Sequence, residues 1–465
     1  MKGIYRNDLT RKRGERGERK AEKKYFKIIC IIILACFAVT TVSAEEYDLA
    51  AYLTMVERNN PDLLIALKEL ELAKTGVTLA RSALLPSAGV QGRYNHNFIE
   101  QTQGMAVASM PDNGSVQPLV FSDIRTNFDN ELIVGIGVNQ ILFSSTAISN
   151  YNKAKIALSL RERSFEAARL VVLCAAKKLY ARAQLALLVV EIRESSENLS
   201  LEQYQRVQRL HQVGAAIELD LLSAEVDWRT KADATGEAKK NAALVLIAFR
   251  DLAGIPHSQN ITLTQVYTDL PEIPEAPVLG NVLVNRADYH SLLLSRDLND
   301  VERKAARNLF LPEVSASFSY GLGRFTGNDD YNGNYDFNSA SLGLLVSIPL
   351  FTGGARIARM QAAKLEQEKV TIALSKKETA IESELFELQL RLAEAEQRRE
   401  SSYLIVETAR RAVALAQRAY ANGQATYLAV IDAQDKLDLV WLNFANIGYE
   451  FLSAYYDWEL AIGNK

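Results

Sequence analysis

LARSALLP at residues 79–86 and AARNLFLP at residues 305–312 decide the fold, because they are one passage written twice. Pro312 lies 226 positions after Pro86, and the same offset pairs Asp62 with Asp288, Ala80 with Ala306, Arg81 with Arg307 and Tyr94 with Tyr320. In both copies the hydrophobic period changes at the proline. Before Pro86 the apolar residues Leu63, Ala66, Leu67, Leu70, Ala73 and Val77 recur every three or four positions, as on one helix face. After it Ala88, Val90 and Tyr94 alternate with Ser87, Gln91, Arg93 and Asn95, as on the two faces of a strand. In the second copy Val314, Ala316, Phe318, Tyr320 and Leu322 oppose Glu313, Ser315, Ser317 and Ser319. Proline cannot continue a helix interior, so a helix becomes a strand at Leu-Pro. The switch occurs twice, and the chain is an internal duplication.

Each copy then returns. The first strand, about Ser87 to Phe98, leads through a polar, Gly-, Ser- and Asn-containing segment to a second strand, Glu131 to Ile141. In the second copy the strand Val314 to Gly323 leads through a Gly-, Asn- and Asp-rich loop, 324–338, to a strand from Ser339 to Ile348. The motif Gln140-Ile141-Leu142-Phe143 matches Ile348-Pro349-Leu350-Phe351 at an offset of 208, so the first loop is 18 residues longer. Such length changes belong in exposed loops.

Long helices follow. From Ser145 to Val213 there is neither proline nor glycine, and a continuous helix there would run for roughly 100 Å. Gly214 ends that run, and Gly423 ends its counterpart from Ala355, an offset of 209 that also relates Gly254 to Gly463. Ile381, Leu385, Leu388, Leu392 and Ala395 carry coiled-coil spacing, as do Val406, Ala409, Val413, Ala416, Tyr420 and Gly423. The gap of 11 between the two runs reads as a stutter that relaxes a left-handed supercoil.

The chain opens with eleven Lys or Arg and four Asp or Glu in residues 1–27, an apolar stretch from Ile28 to Val39, and Val42-Ser43-Ala44 before Glu45. That is the pattern of a secretory signal peptide, too short in its apolar part for a spanning helix of about 20 residues. Ile33-Leu34-Ala35-Cys36 only faintly resembles a lipoprotein signal, because the apolar stretch runs on past Cys36. Cleavage after Ala44 removes a net charge of +7, turning the −3 of the whole chain into about −10. It leaves Cys174 alone, so no intrachain disulfide forms. An acidic chain with no later basic run argues against nucleic acid as a partner. The expected boundaries are 1–44 for the signal, 45–270 for the first structural repeat, 271–285 for a linker and 286–465 for the second repeat.

Strands of about ten residues are long enough to cross an outer membrane at a tilt. Four of them cannot close a membrane barrel, which needs at least about eight, and an open edge in lipid leaves backbone groups unsatisfied. The chain must therefore oligomerise, as a dimer of eight strands or a trimer of twelve. The competing reading is a small soluble sheet that caps a helical bundle.

The residues NPDLLIALKELELAKTGVTLARSALLP (60–86), QILF (140–143), RLHQVGAAIELDLLSAE (209–225), RADYHSLLLSRDL (286–298), IPLFTGGAR (348–356) and RAYANGQATYLAVIDAQ (418–434) resemble the TolC family of outer-membrane efflux proteins. The resemblance covers nearly all of the mature chain, in the family's order. It implies an α+β membrane protein: a homotrimer with a twelve-stranded β-barrel, four strands per chain, continued by a long α-helical coiled-coil tube in the periplasm. It implies a periplasmic adaptor (membrane fusion) protein, an inner-membrane transporter and outer-membrane lipid as partners, with the cell outer membrane as the location. It also places the tube's tip turns and adaptor contact at Gly214 and Gly423, and a periplasmic gate at Asp220, Tyr420 and Asp432. Family gate residues fall on Ala425 and Ala429 here, so part of that network is missing. From the residues alone, Asp220 and Asp432 also suit the first turn of a helix, whose dipole favours carboxylates, and Tyr420 continues the heptad seam.

No catalytic arrangement is present. His96, His211, His257 and His290 lie in different elements without metal-ligand spacing, and Gly353-Gly354 lacks the lysine and hydroxyl of a phosphate loop. The reading is therefore not an enzyme, with no cofactor and no metal, but an exit duct for small molecules or polypeptides energised by an inner-membrane pump. Its alternative is a non-conducting coiled-coil protein of the envelope. On the strands, Leu132, Val134, Phe318, Tyr320, Leu342 and Leu344 are expected to face lipid, and Gln91, Asn139, Ser317 and Ser347 the lumen.

Overall fold

The computed structural model describes residues 45–99, 101–107, 120–259, 261–263, 270–327 and 334–463. The signal-peptide reading of 1–44, Cys36 included, falls outside them. In chain order the elements are β1 (Glu45–Tyr47), α1 (Leu49–Asn59), α2 (Pro61–Ser82), β2 (Ser87–His96), β3 (Thr102–Val107), β4 (Val120–Arg125), β5 (Asn130–Phe143), α3 (Ser145–Gln212) and α4 (Glu218–Ala253). Then come β6 (Ile261–Leu263), α5 (Leu279–Asn285), α6 (Ala287–Asn308), β7 (Glu313–Thr326), β8 (Tyr335–Ser347), α7 (Ala355–Ala421) and α8 (Tyr427–Ala461). The succession of helix, two long strands, long helix and helix is present in each half. Both helix-to-strand switches fall at the prolines: α2 stops before Pro86 and β2 follows it, and α6 and β7 flank Pro312 in the same way.

Local chemistry sets the boundaries. Asp48 accepts a hydrogen bond from the Ala51 amide at 2.7 Å and caps α1, and Pro61 opens α2, where its missing amide hydrogen costs nothing. The long helices α3 and α7 contain 68 and 67 residues and end on left-handed glycines, Gly214 at φ 73° and Gly423 at φ 70°. At each end the glycine amide bonds three residues back (to His211 and Tyr420), and the next amide bonds five back (Ala215 to Leu210, Gln424 to Ala419). These are Schellman caps, which satisfy carbonyls that a helix end leaves without partners.

Three expectations change. The polar segment between the first two strands contains the hairpin β3–β4, which accommodates the extra length of the first copy. The stretch 271–285 includes the short helix α5. The gap between Ala395 and Val406 is not a stutter. Half-buried Arg399 and buried Ser402 divide it into steps of four, three and four, so the heptad runs on unbroken with polar residues at two seam positions. Ser402 satisfies its hydroxyl by donating to the Arg398 carbonyl at 3.0 Å, which hid the seam from a purely apolar reading.

The chain divides into two compact units. One takes in the residues up to Asn60, Ala175–Glu272 and Glu394–Ser453. Its aromatic core stacks Tyr52 on Phe249 at 3.8 Å between ring centres, with Tyr180 beside both. The amides of Asn59 and Asn60 donate to the Ala253 and Leu252 carbonyls at the end of α4, and Gly254 leaves room for Asn59 there. The other unit takes in Pro61–Cys174, Ile273–Ala393 and Ala454–Lys465. It contains the four-stranded antiparallel sheet in the order β2-β5-β7-β8, with β2 and β8 as open edges. In it Gly463, at the end of α8, lies against Asn285, the residue 226 positions after Asn59.

Candidate functional site

The sheet has two chemically distinct faces, and the register assigns every residue to one of them. Tyr94 pairs with Leu132, Val90 with Ile136, Val134 with Leu322, Val138 with Phe318, Phe318 with Leu342 and Ala316 with Leu344. Directly paired residues share a face, so these side chains form one apolar surface across all four strands. It is exposed: Val90 is 75% accessible, Leu342 82% and Leu344 67%. A contiguous apolar band of this kind needs lipid or protein against it. The opposite face carries Gln91, Asn139, Ser317 and Ser347, with glycines and serines through its middle and Ile133, Ile141 and Leu345 towards its ends. All ten residues expected on the strand faces therefore divide between the faces as the alternation predicts. Among the described residues no helix is long and apolar enough to cross a membrane.

In the other unit, the ends of α3 and α7 and the starts of α4 and α8 meet. Val207, Ala224, Tyr427 and Val430 form a buried cluster there, with Tyr204, Leu221, Ala416, Tyr420 and Ile431 packed around it. Gly214 and Gly423 sit at the two turns beside it, with open space where a Cβ would lie. Tyr420 lies 5.4 Å from Tyr427 between ring centres. Burial raises the Tyr420 hydroxyl above its usual value, and the nearby Asp220 charge adds to the effect. Asp220 and Tyr420 are thus close together. Asp432 stands outside this cluster. It is exposed, forms an ion pair with Lys436 at 2.6 Å, and lines a groove with Leu404, Thr408, Ala412 and Val440.

A second charged constellation had no expectation attached to it. Lys231 on α4 is buried among three carboxylates: Asp227 at 3.5 Å, and Asp435 at 3.5 Å and Asp438 at 3.8 Å on α8. Asp438 also accepts a hydrogen bond from Ser196 on α3, so three helices converge on the lysine. Burial pushes the Asp227 carboxyl above the ordinary range, Lys231 pulls it back, and Asp435 adds to the rise. The residues line a cavity of about 760 Å³ together with Arg193, Leu222, Val226, Ile431 and Leu439. Asp227 and Lys231, four apart on one helix, were the visible half of this arrangement. Nothing in the sequence says that α8 supplies the other half.

A sheet with one lipid-compatible face and one polar face, joined to helices of 68 and 67 residues, defines a class of membrane channel rather than a soluble bundle. The family described as Outer membrane efflux protein matches residues 53–254 and 278–464. The chain is 22% identical over 402 residues to the alkaline protease secretion protein AprF of Pseudomonas aeruginosa, covering 85% of this chain and 80% of that one. It is 20% identical over 446 residues to the outer membrane protein TolC of Vibrio cholerae, covering 94% and 95%. Its fold is similar to the crystal structure of the Campylobacter jejuni CmeC outer membrane channel, with a TM-score of 0.73 at 20% identity over 89% of this chain and 85% of that one.

The chain belongs to the outer membrane efflux protein family. It is an outer-membrane exit channel that extends into the periplasm, not an enzyme.

Proposed function

We propose that three copies of the chain join edge to edge, β8 of one beside β2 of the next, into a twelve-stranded barrel with the apolar face on lipid. The observation that carries this reading is the two-faced sheet whose edges β2 and β8 have no partner strand among the described residues. Edge backbone groups have no water to bond in a bilayer, so closure is required. Signal peptide 1–44, repeats 45–270 and 286–465, and the connector 271–285 complete the proposed organisation. The duct is passive and forms one part of a three-component export system. An inner-membrane transporter supplies the energy, and a periplasmic adaptor contacts the turns at Gly214 and Gly423. The cargo is small molecules or polypeptides, and export of a protease by the relative AprF, as its name states, supports the second. Asp220 and Tyr420 form the closing contact at the periplasmic mouth, and Asp432 contributes negative charge to its lining.

Purified protein reconstituted in planar bilayers tests the reading. Discrete openings are expected, and their unitary conductance should rise in the Asp220→Ala, Tyr420→Phe double variant. Absence of any conductance from a stable trimer would sink the proposal.

A further inference from the structure

The polar face of the sheet is not uniform along its length. Three successive rows across the four strands are Ser87, Asn139, Ser317 and Gly343, then Gly89, Gly137, Ser319 and Ser341, then Gln91, Gly135, Gly321 and Ser339. Nothing bulkier than glutamine occurs in them. Towards the hairpin ends of the strands, away from the helices, the character changes. Phe337 pairs with Gly323, and its ring covers the place of the missing side chain: a Cβ on Gly323 would lie 2.1 Å from the ring. Phe325 pairs with Tyr335 in the next row. Phe325 lies 5.0 Å from Phe337 and 5.1 Å from Phe128 between ring centres, and Tyr335 lies 6.2 Å from Phe337. Four aromatic rings thus crowd one end of a face whose middle rows are small and polar; Arg93 and Ile133 share the Phe337 row, and Ile141 and Leu345 lie on the same face at the helix end of the strands. The position of the rings is not that of lipid anchors, because register sets Phe325, Tyr335 and Phe337 opposite to Tyr94, Leu132 and Leu342, and Phe128 packs on Phe325.

We propose that these rings form an aromatic collar inside the outer mouth of the channel, a binding site for apolar and cationic groups of departing cargo. The inference rests on the barrel closure proposed above, which turns the polar face inward. Small side chains leave the middle of the lumen wide, so cargo slides there without contact. Past those rows, the collar is where apolar side chains of an extended polypeptide meet aromatic faces. Tyr335 is 56% exposed and offers such a face directly. Apolar area and cation–π attraction act together on a group that carries both. Glu131, paired with Phe325, puts a carboxylate in the same row, and Arg93, paired with Ile133 one row further in, sets a guanidinium on the same face, so the attraction for cations comes from the rings rather than from net charge.

The test is block of single-channel current by tetraphenylphosphonium added from the side of the strand hairpins, with tetramethylammonium as a small-cation control. Wild type should be blocked by the aromatic cation at concentrations at least about tenfold lower than Phe325→Ala or Tyr335→Ser. Glu131→Gln should shift both cations alike. Tyr335→Ser alters an exposed ring and keeps the test valid if Phe325→Ala assembles poorly. Unchanged block in Tyr335→Ser and in any assembled Phe325→Ala trimer overturns the collar while leaving the channel intact. A wild-type trimer that does not conduct defeats the channel reading itself.

Discussion

Lys231 shows how a single buried charge binds three helices together. With 9% of its side chain exposed it is paid for by Asp227, Asp435 and Asp438, and removing it leaves Asp227, 6% exposed, without its partner. An uncompensated buried charge costs about 3–5 kcal/mol. Lys231→Met should therefore lower the melting temperature of the purified protein sharply. Asp227→Asn should cost little, because Asp435 and Asp438 still neutralise the lysine. The sign of the pH effect follows from burial, which raises the Asp227 carboxyl in the folded state. A carboxyl with a raised folded pKa favours folding while protonated, and that contribution is lost as pH rises from its unfolded value through its folded one. Asp227→Asn should then flatten the stability of the protein across that window. An unchanged pH profile by calorimetry would exclude the assignment. Of this arrangement only the Asp227–Lys231 spacing was legible, because contacts between helices far apart in the chain leave no local pattern. Asp220 and Tyr420 were both legible as candidates, but their proximity was not.

Among elements, the four capping glycines are alike in sequence and unlike in cost. Gly423 and Gly463 both adopt φ 70°, and a left-handed alanine costs about 1–2 kcal/mol at either. Around Gly423 there is open space, whereas a Cβ on Gly463 would lie 2.9 Å from the Asn285 backbone. Gly463→Ala should accordingly lower the melting temperature more than Gly423→Ala, and an equal loss in both would place the tight contact elsewhere. The strands differ by face. Leu344 belongs to the apolar surface and Ser317 to the polar one. An arginine at mid-bilayer on a lipid face costs about 2–4 kcal/mol. Leu344→Arg should reduce assembled trimer in outer-membrane fractions while Ser317→Arg assembles normally. Equal yields would reverse the assignment of faces. The Schellman glycines and the strand alternation were readable because each depends on neighbours within a few residues. The continuous heptad through Arg399 and Ser402 was not, because a buried serine bonded to its own helix looks polar in sequence and packs like a small apolar residue.

At the scale of the whole molecule, the proposed place of Asp432 at the periplasmic mouth makes its charge a determinant of ion selectivity. Asp432 does not stand alone, since Lys436 holds it at 2.6 Å with both side chains exposed. An exposed pair of this kind adds little stability, but the lysine cancels the charge that the carboxylate would show a passing ion. Asp432→Ala leaves the lysine unpaired and is therefore expected to shift reversal potential across a salt gradient towards anions. Lys436→Ala leaves the carboxylate unpaired and should shift it by a similar amount towards cations. No change in either variant would remove this pair from the conduction path.

Duplication, helix-to-strand switches at Pro86 and Pro312, capping glycines and the two faces of each strand were determined by the sequence alone. Each of these is enforced by local sterics or by a short period, and either leaves its mark within a few residues. The tertiary structure alone decided which strands are neighbours, that Lys231 gathers carboxylates from α4 and α8, and that Phe128, Phe325, Tyr335 and Phe337 meet at one end of the polar face. Such juxtapositions depend on register between segments up to about 200 residues apart. The energy that fixes that register is spread over whole interfaces and is written in no single stretch of chain.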